Sequence, residues 1–186
     1  MIHNTQQDPH SFARPEEAMI KHIDLELLVN ITNKKLTGLA TLHFEKAAGA
    51  TRLMLDTKDL DIQSINFEDG KPANFKFHDE DRILGSALEI ELNESSDQIS
   101  ISYSTGNGAE ALQWLDASQT ADKKHPFLFT QSQAILARSW IPLQDSPGIR
   151  FTYAAQVQVP EGMLALMSAE NPQGINPDCN YPFSMP

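Results

Sequence analysis

Gln131 and Gln133 close the segment Phe127-Leu128-Phe129-Thr130-Gln131-Ser132-Gln133-Ala134, where an apolar strand start runs into two side-chain amides. On a continued strand, residues two apart face the same way and lie about 6.5–7 Å from one another. A side-chain amide offers a carbonyl acceptor and an NH2 donor without carrying charge. It can hold the charged end of a small ligand without the desolvation cost of burying an ion of its own. From residue types alone, the same pair fits an outward polar face on an edge strand. Farther along, Arg138 and Asp145 read as a structural ion pair pinning the turn around Pro142, not as a catalytic pair.

The other reactive side chains do not assemble into a site. The histidines are His3, His10, His22, His43, His78 and His125, and no two stand at the i, i+4 spacing by which a helix grips one zinc ion. His22 with Asp24, and His43 with Glu45, share a strand face at a spacing of two, which reads as a solvated polar face. There is no G-x-S-x-G elbow, Cys179 lies in a proline-broken tail, and no phosphate-cradling glycine loop follows a strand. Gly106-Asn107-Gly108 reads as a loop tip. Asp79-Glu80-Asp81 reads as a solvated one.

The elements that must position these residues follow a period of two. Ile23, Leu25, Leu27 and Val29 alternate with polar residues, and after the turn Thr32-Asn33-Lys34-Lys35 so do Leu36, Gly38, Ala40, Leu42 and Phe44. Two such runs joined by a polar turn predict an antiparallel hairpin with one wet face. Further strands are predicted over 52–56, 61–67, 74–77, 88–92 and 98–103, with Asp69-Gly70 as a tight turn. The clearest strand is expected over 149–159, ended by Pro160. Residues 109–115 and 134–140 are expected to form a turn or two of helix each. The fold class is therefore all-β, a sandwich or folded sheet with short helical connections.

Composition sets the remaining bounds. The chain has 186 residues, with 14 Lys and Arg against 25 Asp and Glu, for a formal charge of −11. A field of that sign disfavours nucleic acid and anionic lipid surfaces as partners. No apolar run approaches the roughly 20 residues that span a bilayer as a helix. The single cysteine excludes an internal disulfide. The start of the chain has no basic or apolar leader pattern, and the cytoplasm is the expected compartment. Residues 1–169 are expected to form one β domain, and the Asn- and Pro-rich stretch 170–186 a linker.

Several blocks also carry a family resemblance. Asp8-Pro9-His10-Ser11-Phe12-Ala13-Arg14-Pro15, Leu36-Thr37-Gly38-Leu39-Ala40-Thr41-Leu42-His43 and Ala111-Leu112-Gln113-Trp114-Leu115 are among them. So are Lys124-His125-Pro126, Gln131-Ser132-Gln133-Ala134, Ala137-Arg138-Ser139-Trp140-Ile141-Pro142, Gln144-Asp145 and Ala165-Leu166-Met167-Ser168-Ala169. Together they resemble the amino-terminal domain of the M1 family of zinc aminopeptidases, in its leukotriene A4 hydrolase-like branch, colinearly from Asp8 to Ala169.

The resemblance implies a saddle-like all-β domain that packs against a separate catalytic domain and forms one wall of a peptide cleft. It implies zinc for the full-length enzyme and no cofactor in this chain, because the H-E-x-x-H and G-x-M-E-N motifs occur nowhere in these residues. The partners it implies are the missing catalytic domain of the same polypeptide and peptide substrates. It gives Gln133 the role of accepting a hydrogen bond from the substrate's amino terminus, and Gln131 and Ala134 that of shaping the first side-chain pocket. Alone, the chain is expected to be catalytically silent, and its uncovered docking face is expected to promote self-association. A free-standing β-sandwich module for protein or carbohydrate binding is the alternative.

Overall fold

The computed structural model describes residues 8–171. Its strands are β1 (Ala18–Asn30), β2 (Lys35–Lys46), β3 (Arg52–Thr57), β4 (Leu60–Phe67) and β5 (Phe75–Phe77). They continue as β6 (Ser86–Glu91), β7 (Gln98–Thr105), β8 (Leu112–Leu115), β9 (Phe127–Thr130) and β10 (Thr152–Gln158). β1 and β2 form the predicted hairpin, in register from Asn30 opposite Lys35 to Ala18 opposite Lys46, with an irregularity between Ile20 and His22. Its turn is set by Asn30, whose side-chain oxygen accepts the Asn33 N–H at 2.9 Å.

Five strands make the larger sheet, in the order β10-β1-β2-β7-β4, and every pairing in it is antiparallel except that of β1 with β10. A second sheet runs β3-β6-β5, and β8 pairs with β9 alone. The inward residues of the alternating runs merge into one core. Ile23, Leu25, Leu27, Leu42, Ile99, Ile101 and Tyr103 of the large sheet share it with Leu53, Leu55, Leu88 and Ile90 of the second. β10 keeps its predicted one-sided pattern. As an edge strand it only half-buries Tyr153, Ala155 and Val157.

Two expectations need correction. Residues 109–115 are not helical: Leu112–Leu115 is β8, because its backbone is committed to β9, with Leu112 opposite Thr130 and Leu115 opposite Phe127. β9 ends at Thr130, so Gln131 and Gln133 do not lie on a strand. Residues 134–140 do turn, through a tight turn and then a 3-10 turn at Ala137–Ser139. The expected linker 170–186 lies outside the described residues from 172 onward, as do His3 and Cys179.

Candidate functional site

Residues 131–134 form an exposed loop fixed from below at several points. The Gln131 N–H donates to the Ala111 carbonyl at 2.9 Å, which carries the β8–β9 ladder one residue past the end of β9. Ser132 accepts twice, from the Leu136 N–H at its carbonyl (2.9 Å) and from the Trp140 indole N–H at its hydroxyl (3.1 Å). Trp140 is itself buried. Ser139, also buried, donates its hydroxyl to the Leu136 carbonyl and accepts the Ala111 N–H. The loop therefore hangs on backbone and side-chain bonds anchored by the buried Ser139 and Trp140.

The two amides are not equivalent. The Gln131 side-chain oxygen accepts the Gln133 N–H at 3.1 Å, so that carbonyl shapes the loop. Among the described residues nothing bonds the Gln133 side-chain amide, which stands exposed with its carbonyl and NH2 both open. Ala134 is exposed beside it, and the Gln133–Ala134 peptide bond is cis. The equal, same-facing pair expected on a strand is thus replaced by one open amide and one braced one.

The polar residues beneath the loop were legible in sequence only in part. The Arg138–Asp145 pair is present, Nε to Oδ2 at 3.1 Å, and Arg138 is fully buried. The guanidinium also donates to the carbonyls of His10 (2.8 Å), Leu84 (3.0 Å) and Asp145 (3.0 Å). Its second anion is Asp56, 3.4 Å away and also fully buried. Asp56 accepts the Ser11 hydroxyl (2.6 Å) and the N–H groups of Phe12 (2.7 Å) and Asp145 (2.8 Å). Burial pushes the Asp56 carboxyl up, while Ser11, the Arg138 guanidinium and those N–H donors pull it down. Gln144, buried next to Asp145, accepts the Ile20 N–H and donates to the carbonyls of Ala18 and Met54. The amino-terminal segment, β1, β3 and the turn after the loop are therefore tied at one point. No local spacing connects Asp56 or Ser11 to Arg138, so only the fold reveals them.

An apolar shelf adjoins the loop. Phe127 and Phe129 are 52% and 50% exposed, and their partners across the ladder are Leu115 and Gln113. Leu128 and Trp114, on the opposite face, pack on the core. A second exposed apolar pair, Leu164 and Leu166, lies on the segment after β10, whose Met167 packs inward.

The histidine–carboxylate pairs of the sheet face do meet, but not as a metal cage. His22 lies opposite His43, and their Nε2 atoms donate to the two oxygens of Asp24 at 3.2 and 2.9 Å. Glu45 is paired instead with Lys21 at 3.1 Å. Among the described residues, no group of three or more His, Cys, Asp or Glu side chains could hold a metal ion.

Residues 19–177 match the family described as the peptidase M1 N-terminal domain. The chain is 42% identical over 168 residues to leukotriene A-4 hydrolase of Xenopus laevis, a match covering 87% of this chain and 27% of that protein. It is 35% identical over 163 residues to leucine aminopeptidase 2 of Yarrowia lipolytica, covering 86% and 25% respectively. Among solved structures, yeast LTA4 hydrolase in complex with bestatin superposes with a TM-score of 0.78 at 30% identity, over 86% of this chain and 26% of that one. An M1 zinc metallopeptidase from Deinococcus radiodurans shares the fold, with a TM-score of 0.58 at 16% identity, over 76% of this chain and 32% of that one. The chain thus spans about a quarter of the length of the curated relatives it matches.

Proposed function

The chain belongs to the peptidase M1 N-terminal domain family, and from that membership we propose that it serves as the non-catalytic wall of an aminopeptidase cleft. The observation that carries this reading is the loop 131–134, which presents one open, uncharged amide on a braced backbone. An amide carbonyl held this way suits a peptide's α-ammonium, accepting a charge-assisted hydrogen bond without adding a buried charge. Gln131 holds the loop in shape, and Ala134, with no side chain beyond Cβ, leaves room for the first residue of the substrate. The name of one relative, leucine aminopeptidase 2 of Yarrowia lipolytica, supports that substrate class.

Among the described residues no group fits a zinc site, and the zinc of the whole enzyme is proposed to lie in its catalytic domain. Cleavage is assigned to that domain, and this chain contributes binding and orientation. The exposed Phe127, Phe129, Leu164 and Leu166 are the residues proposed to meet it.

The test uses the full-length enzyme. One hydrogen bond to a charged group contributes about 1.5–3 kcal/mol, so Gln133→Ala is expected to lower kcat/KM for free-amine peptides by roughly tenfold to a hundredfold. The loss should fall mainly on KM. Unchanged KM and kcat would remove Gln133 from the site. Separately, the 186-residue chain incubated with zinc and aminoacyl-nitroanilides is expected to give no turnover above buffer.

A further inference from the structure

Two dipeptides in this chain have the composition from which a cyclic imide forms: Asn107-Gly108 and Asp69-Gly70. In each, the glycine presents a backbone nitrogen with no Cβ to hinder its approach to the preceding side chain. We infer that Asn107 is a site of spontaneous, backbone-assisted deamidation, and that the fold spares Asp69.

The hydrogen bonds separate the two. The Gly70 N–H is committed to the Phe67 carbonyl at 2.9 Å. Both oxygens of Asp69 are taken by Lys71, one by its N–H at 3.1 Å and the other by its ammonium at 2.6 Å. Those bonds hold the Asp69 carboxyl below its ordinary range, and an ionised carboxylate is a poor acceptor for a nitrogen nucleophile. At the other turn Asn107 is exposed, and nothing among the described residues bonds its side chain. The one bond to the Gly108 N–H is long, 3.4 Å to an Asp59 oxygen. Other asparagines are disfavoured by a bulkier neighbour on the carboxyl side or by the bonds they make. Asn30 and Asn93 cap turns with their side-chain oxygens and precede Ile31 and Glu94, and Asn74 bonds Glu91.

The reaction balances without a co-reactant other than water. The Gly108 nitrogen attacks Asn107 Cγ, a C–N bond closes a five-membered imide, and the side-chain nitrogen leaves as ammonia with the proton lost from Gly108. Water then opens one imide carbonyl or the other, leaving aspartate or isoaspartate at 107. The new carboxylate appears in a loop already wrapped around an acid: the Gly106 N–H donates to the Asp59 carbonyl at 2.8 Å, and a Cβ on Gly106 would collide with the Asp59 side chain. The same loop leads into Ala111, which accepts the Gln131 N–H.

The folded chain is held at mildly alkaline pH, where the backbone nitrogen loses its proton more readily, and digested with trypsin. Peptides 83–123 and 59–76 are then followed by mass spectrometry with isoaspartate detection. In the folded chain, exchange of NH2 for OH is expected to accumulate at Asn107 while Asp69 stays unrearranged; in the urea-unfolded chain both are expected to react. Gly108→Ala should fold, because a Cβ there meets nothing nearer than an Asp59 oxygen at 3.5 Å. Its conversion should drop to the background of the other asparagines. An intact Asn107, rearrangement of Asp69 in the folded chain, or a Gly108→Ala chain that converts as fast as the parent overturns the inference.

Discussion

Arg138 shows how much of a site's support can hang on one side chain. It is fully buried and bonds two carboxylates and three carbonyls, drawing together segments from His10 to Asp145. Removing Asp56 leaves Arg138 with Asp145 alone and strips the Ser11 hydroxyl and the Phe12 and Asp145 N–H groups of their buried acceptor, so Asp56→Ala is expected to cost about 3–5 kcal/mol. The measurement is a urea titration, read as a lower midpoint at an unchanged slope. Tyr103 is the converse case. Its hydroxyl is buried and has no hydrogen-bond partner among the described residues, and burial drives its pKa upward. Tyr103→Phe removes that orphan and is expected to stabilise the chain by about 1 kcal/mol, toward the low end of the penalty for an unsatisfied group; a lower melting temperature would refute this. Of these residues the sequence made only the Arg138–Asp145 pair legible, because a turn holds the two close. Ser11 and Asp56 join the group through folding alone.

At the scale of elements, the two-residue period carried far. The β1–β2 hairpin and the strands β3, β4, β5, β6, β7 and β10 lie close to where the alternation put them; in β1 and β2 buried residues alternate with half-buried ones, whereas β3 is buried on both faces and β5 on neither. The period failed where strands are short and pair only with each other. Around β8, Ala111-Leu112 stands beside Trp114-Leu115 with no clean alternation, and the stretch reads as helix until its partner is known. For the same reason the register past Thr130 was not legible: the bond from the Gln131 N–H to Ala111 is the last rung before the backbone turns away. Within the hairpin, Gly38 is required by what crosses it. A Cβ there would sit 2.9 Å from a Leu27 methyl and 3.0 Å from the Tyr103 ring. Gly38→Ala is therefore expected to cost about 1–3 kcal/mol as overpacking. In the Tyr103→Leu background the cost should shrink, because the ring is one of the two obstacles; equal costs in both backgrounds would contradict this.

For the whole molecule, charge and uncovered surface govern behaviour. The Arg52 hydrogen bond holds Glu17 below its ordinary value. Burial works to raise Asp24 and Glu89, but hydrogen bonds from His43 and His22, and from His78 and Lys76, outweigh it and leave both lowered. A carboxyl with a lowered folded pKa stabilises above its unfolded value and loses that contribution as pH falls through the folded one. Asp56, which is raised, works in the opposite sense. The lowered groups predominate, so the melting temperature should hold near neutrality and fall on acidification below the ordinary values of 3.8 for Asp24 and 4.5 for Glu17 and Glu89. A melting temperature that rises through that window would refute the assignment. The exposed Phe127, Phe129, Leu164 and Leu166 lead us to expect concentration-dependent association of the isolated chain, which light scattering should detect and substitution of both phenylalanines by serine should weaken.

The parallel pairing of β10 with β1 joins the last strand among the described residues to the first. During synthesis, a ribosome that has not yet released Thr152 carries a β1 edge whose backbone groups from His22 to Leu28 have no mate and stand open to any passing strand. Completion of the sheet must wait for nearly the whole domain to emerge, which makes the interval before it a window for chaperone capture or co-translational aggregation.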